Sequence, residues 1–198
     1  MILKRLKLAT SQRHAALERQ LPLLDPHLSR PVYLQCARRF FGYYAPLEVK
    51  LLELPWWDSI GFHYVPRYKT PYLEQDLLAM GDTDEMLARL PRCENLPDTK
   101  TLAHLLGCLY VLEGATLGGQ IITKHLQTNL GVTPNNGGAF FNGYGAHTGP
   151  NWLTFGKMLM VQAEGTGNGD DIIDSANETF ATLDQWLFPI SQEKVSGL

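Results

Sequence analysis

Apolar residues recur at steps of three and four from the start of the chain. Leu3, Leu6, Thr10, His14, Leu17 and Leu21 share one stripe, the pattern of an amphipathic helix over residues 2–20 that Pro22 and Pro26 bring to an end. A second pattern begins after Ser29, a candidate N-cap followed by Pro31, and runs through Phe40, Tyr44 and Leu51 to about residue 53, with Pro46 inside it as a site for a bend. Residues 54–69 are rich in Pro, Trp and Tyr and read as a loop with one short turn. Thr70, as cap, and Pro71, in the first turn, open a helix that ends near Gly81, with Glu74–Asp76 as its solvated face; a shorter helix covers 83–90. Asp98 opens the longest pattern, which continues to about residue 129 and stops at Gly131. Residues 131–151 read as a Gly- and Asn-rich loop anchored by Phe140, Phe141 and Tyr144, and helices over 151–164 and 170–188 complete the chain. Strand patterns are nearly absent, so the expectation is an all-α, single-domain bundle over residues 1–198, of roughly six to eight helices.

Composition narrows this picture. A chain of 198 residues suffices for one domain with a sizeable core. Seventeen basic against twenty acidic residues leave a net charge of -3, which gives no electrostatic footprint for nucleic acid; Lys4, Arg5 and Lys7 form the one dense basic cluster. The most apolar stretch, 102–122, contains His104, Glu113 and several glycines and reads as a buried core helix, so no membrane partner is expected. The N-terminus lacks the apolar run and cleavage site of a signal peptide. Cys36, Cys93 and Cys108 are odd in number and never spaced Cys-x-x-Cys, which argues against a disulfide framework or zinc ribbon and for a cytoplasmic location.

Two segments carry candidate chemistry. His14 lies near the centre of the first apolar stripe, so its imidazole faces the interior or a ligand. It is either a core histidine bonded to a backbone carbonyl or a metal ligand. Glu18, four residues on, could accept the Nδ1 proton and leave Nε2 free and more basic. Lys7 lies two turns before His14 on nearly the same azimuth, as a solvated lysine or as a cation for the acidic edge of a flat macrocycle. The second segment is Tyr110-Val-Leu-Glu-Gly-Ala-Thr-Leu-Gly-Gly-Gln120. Gly114, Gly118 and Gly119 each cost about 1 kcal/mol relative to alanine inside a helix. Gly114 and Gly118 lie one turn apart and strip one face of side chains, either for close helix packing or for close approach of backbone to a flat ligand.

These segments resemble a known family. Leu6-Lys-Leu-Ala-Thr-Ser-Gln-Arg-His14-Ala-Ala-Leu-Glu18 resembles the proximal helix of heme oxygenases, and Tyr110 to Gln120 is similar to their distal helix with its Gly-x-x-x-Gly-Gly core. Phe140-Phe-Asn-Gly-Tyr-Gly and Thr148-Gly-Pro-Asn-Trp152-Leu-Thr-Phe155 look like the loop and following helix of the branch associated with bacterial phytochromes. The resemblance implies a bundle holding heme between a proximal and a glycine-kinked distal helix. It implies cleavage of the heme at a meso carbon to biliverdin, carbon monoxide and iron, with O2 and electrons from an external donor. A ferredoxin, flavodoxin or flavin reductase could be that donor, docking on the basic face at Lys4, Arg5 and Lys7, and a phytochrome could accept the biliverdin. His14 becomes the axial iron ligand, bonded to Glu18. Gly114 and Gly118 let the distal helix arch over the iron, with Ala115 and Gly119 beside them. Lys7, Tyr110, Tyr144 and Lys157 are the candidate propionate contacts. Mammalian members carry an aspartate directly after the first distal glycine, where this chain has Ala115. That carboxylate helps order the distal waters, so the route of proton delivery stays open, although the phytochrome-associated branch also tends to lack it.

Other readings compete. A di-iron bundle needs Glu-x-x-His on two helices, and no Glu here is followed three residues later by His. A thiamin-degrading enzyme of similar fold needs a nucleophilic cysteine; Cys108 lies one turn from His104 but in a core-like Leu-Leu-Gly-Cys-Leu context. A non-catalytic heme carrier of the same fold is the third, supported by Ala115 and distinguished by whether bound heme is degraded. His27, His63, His125 and His147 read as solvated or structural, and Trp56, Trp57, Trp152 and Trp186 as core anchors.

Overall fold

The computed structural model describes residues 1–189, and every regular element among them is helical. The helices are α1 (Ile2–Gln20), α2 (Arg30–Leu52), α3 (Trp57–Ile60), α4 (Thr70–Ala79), α5 (Asp84–Arg89), α6 (Leu102–Leu130), α7 (Ala139–Asn142), α8 (Thr148–Thr166) and α9 (Gly169–Leu187). Short 3-10 turns occupy Pro22–Leu24, Val65–Arg67 and Gly145–His147.

α6 is the hub. It has the length and hydropathy of a membrane-crossing helix, but here it packs against α7, α8, α9 and the turn at Pro22–Leu24. Leu105, Leu106, Leu109 and Leu112 are wholly buried on it, facing a core that includes Leu47, Leu51, Phe155, Leu159 and Ile172. Gly107 allows the close approach of α9, because a Cβ there would lie 2.4 Å from the Ile172 carbonyl. α1 packs on α9 and α8, and α2 on α4 and α9. Arg5 pairs with Asp170 at the start of α9, so one member of the N-terminal basic cluster is engaged within the bundle, while Lys4 and Lys7 are exposed.

Several helix starts differ from the sequence expectation. α6 begins at Leu102 rather than Asp98, with Thr101 as the cap accepting from the His104 amide at 3.2 Å; Asp98 instead accepts from the Lys100 amide in the loop before it. Ser29 holds the N-cap position of α2 without a side-chain cap bond. Thr70 is not the cap of α4 but its first residue, after Lys69. The capping acceptor comes from another helix: the buried Glu48 carboxylate of α2 accepts from the Lys69 amide at 3.0 Å and from the Thr70 amide at 2.7 Å.

Asp76 corrects the reading of 74–76 as a solvated face. It is buried, and its carboxylate accepts from the amides of Ala139 (2.7 Å) and Phe140 (2.8 Å), capping α7. Burial pushes its carboxyl up to about 6, with the two amide bonds pulling it down less. A carboxyl whose folded pKa lies above its unfolded value binds more protons in the native state. Its contribution to stability is therefore full below about pH 4 and is lost as the pH rises through about 6. Asp76→Asn should flatten the stability profile across that window, whatever its absolute stability. Thermal midpoints of both proteins at the two ends of the window test this, and parallel curves would refute it.

Candidate functional site

α1 and α6 are tied at two levels, in the same chain direction. The Tyr110 phenol of α6 lies beside the Thr10 hydroxyl of α1. Further along, the His125 ring of α6 donates from Nε2 to the carbonyl of Asp25, just past α1, at 2.9 Å. Between these ties lie His14 on one helix and Gly114 and Gly118 on the other, each first position one turn beyond the Thr10–Tyr110 contact.

Both sides of this slot are open. The His14 side chain is 54% exposed, its Nδ1 lies 3.3 Å from a Glu18 carboxylate oxygen, and its ring stands edge-on to Phe180 of α9 at 5.9 Å. It is therefore not a core histidine satisfied by backbone. With Nδ1 directed at a carboxylate, the neutral tautomer leaves Nε2 as a free donor of an electron pair. On α6, a Cβ at Gly118 would meet nothing within 4 Å, and one at Gly114 would meet only the Trp152 ring at 3.7 Å. Leu117 and Ile121, on the same face, are 42% and 63% exposed. An uncovered apolar helix face and an uncovered imidazole on a helix tied to it fit a flat, largely apolar ligand with a metal at its centre.

The remaining candidates fall into separate groups. Tyr110, half-buried against Trp152 with ring centroids 5.8 Å apart, closes one end of the slot. Lys7 and Lys157 are exposed on α1 and α8, which meet where Gly156 faces Leu3. Ala115 is exposed, one position round the helix from Gly114. Two assignments change. Gly119 is turned from the open face: a Cβ there would lie 2.3 Å from the Phe141 carbonyl, so it is a packing glycine. Tyr144, expected near a propionate, has its hydroxyl committed to Glu113 at 2.7 Å and to Lys69 at 3.1 Å.

That second contact belongs to a buried cluster which sequence reasoning missed. Glu113, directly before Gly114, is paired with Arg67 and Lys69, and burial beside Glu113 keeps the Tyr144 phenol protonated as a donor. Arg67 stacks over Phe62. The available signal was Glu113 itself, a charged residue inside an otherwise apolar helical pattern; its partners sit some forty-five residues away in a loop with no periodicity. As for the rival nucleophile, Cys108 is wholly buried and burial pushes its thiol up to about 12, which leaves it inert. Among the described residues no cluster of three or more His, Cys, Asp or Glu side chains could hold a metal ion.

Fold and slot define a class: a helical bundle with a half-exposed, carboxylate-oriented histidine on one helix and an open, glycine-lined stretch on a second helix tied to it. Comparison with known proteins agrees. The profile of the heme oxygenase family matches residues 1–188, and the chain belongs to that family. Its fold is similar to that of the NO- and CO-bound heme oxygenase from Neisseria meningitidis, with a TM-score of 0.78 at 18% identity, covering 97% of this chain and 94% of that one. It is also similar to heme oxygenase from Leptospira interrogans, with a TM-score of 0.75 at 17% identity, covering 94% and 98%. No curated protein matches significantly by sequence.

Proposed function

We propose that this protein is an active heme oxygenase, converting heme to biliverdin, carbon monoxide and iron at the expense of O2 and externally supplied electrons. The observation that carries the reading is the half-exposed His14, oriented by Glu18, together with the bare Gly114–Gly118 face of the helix tied to its own. His14 would hold the heme iron through Nε2, with Glu18 fixing the ring and Phe180 backing it. Bound heme supplies the iron and the oxidative chemistry, while the protein supplies binding, orientation and exclusion of competing reactions. Gly114 and Gly118 leave room over the ring, and Tyr110 with Trp152 walls one side. Lys7 and Lys157 are the cations for the propionate edge, and the exposed Lys4 and Lys7 offer a face for an acidic electron donor such as a ferredoxin or flavodoxin. A flavin reductase would serve the same role, and a phytochrome would take up the biliverdin.

The test is to add one equivalent of hemin to the purified protein, then ascorbate in air, and follow the visible spectrum beside a His14→Ala variant. The expected result is a sharp Soret band that decays into the broad red absorption of biliverdin in the wild type only. A stable Soret band would make the protein a heme carrier, and no Soret band would refute heme binding.

A further inference from the structure

At Gly114 and Gly118 themselves α6 presents no side chain that could set its distance from a ligand, so its position there is held from the far side of the helix. The grip there is dense. Glu113 binds Arg67, Lys69 and Tyr144; Thr116 lies against Gly143; Gly119 abuts the Phe141 carbonyl; and Gln120 donates to the Asn142 carbonyl at 2.7 Å. These positions bracket both glycines of the open face. The gripping segment, 137–148, is itself anchored, by Tyr33 donating to the Gly137 carbonyl at 2.6 Å and by Asp76 on the amides of Ala139 and Phe140. Glu113 is the one charged side chain by which α6 takes part in this grip. Burying it with two cations carries a desolvation cost that apolar residues of similar size would avoid, and what such a cluster can return is one fixed geometry.

We propose that Glu113, held by Arg67, Lys69 and Tyr144, is a positioning residue that sets the height and rotation of the Gly114–Gly118 stretch over bound heme, and through it which ring carbon is oxidised. The inference rests on the heme reading above. Rotation of α6 by a fraction of a turn would bring Leu117 or Ala115 over the ring in place of a glycine, which is why one side chain on the opposite face can matter.

The test uses the full-length protein loaded with hemin, reduced under carbon monoxide and read by the infrared C–O stretch, in the wild type, Glu113→Gln and Tyr144→Phe. The ratio of biliverdin isomers is measured in the same three proteins. The band should shift or broaden in both variants, with a changed isomer ratio. Turnover should fall about tenfold or more while hemin affinity stays within about twofold. If Glu113→Gln does not fold, Tyr144→Phe decides, since it removes one hydroxyl from a half-buried site. An unmoved band with an unchanged isomer ratio overturns the proposal and leaves the cluster a stability feature. Absence of any C–O band in the wild type overturns the heme reading instead.

Discussion

Glu48→Ala should destabilise the protein by about 4 kcal/mol or more. Glu48 is wholly buried on α2, and its carboxylate accepts from the Tyr64 hydroxyl (2.6 Å), the Thr70 hydroxyl (2.6 Å) and the amides of Lys69 and Thr70. Alanine would leave two amides and two hydroxyls without an acceptor where water does not reach, and each orphaned buried donor costs about 1–3 kcal/mol. Glu48→Gln keeps one acceptor oxygen but turns an NH2 group towards donors, so its loss should be intermediate. Both should appear as lower urea midpoints at an unchanged slope. A midpoint for Glu48→Ala within about 1 kcal/mol of wild type would mean that the cluster is wet and the carboxylate replaceable. The same variant should also disturb the slot from a distance, because Glu48 fixes the segment that carries Arg67 and Lys69 to Glu113.

Local patterns revealed most of the framework and little of what holds it together. The α1 stripe, the breaks at Pro22 and Gly131 and the length of α6 all follow from periodicity and end signals within a few residues of each boundary. The missed caps have their acceptors elsewhere in the chain: Glu48 is 22 residues from Thr70, and Asp76 is 63 from Ala139. Asp76 nevertheless carries a local signal. It follows Leu73 by three and precedes Met80 by four, so it lies on the buried face of α4 despite its polar neighbours Glu74 and Gln75. His14 shows a different limit. A helical stripe identifies a side chain that faces inward, but it does not distinguish a packed core from an open slot. That depends on how far α1 and α6 stand apart, which the ties at Thr10–Tyr110 and Asp25–His125 and the packing of both helices on α9 decide.

The glycines of α6 are the sharpest case, and substituting alanine should separate them. At Gly107 the new methyl would lie 2.4 Å from the Ile172 carbonyl and 2.7 Å from the Ala176 amide, both backbone atoms of α9 that can yield only if the helix moves. Gly107→Ala should therefore destabilise the protein by about 3 kcal/mol, even after the gain of about 1 kcal/mol in helix propensity. At Gly118 no atom lies within 4 Å, so Gly118→Ala should stabilise the free protein by up to about 1 kcal/mol. Its methyl, however, enters the open face proposed to cover heme, where about 1–3 kcal/mol of overlap would lower hemin affinity about tenfold to a hundredfold. Thermal unfolding without hemin and a hemin titration of each variant provide the two readings. Loss of hemin affinity without loss of stability at Gly118, set against the reverse at Gly107, is the outcome expected if one glycine exists to pack and the other to leave room. A Gly118→Ala protein that binds hemin as tightly as wild type would mean that heme does not approach this face of α6, and the slot would lose its role.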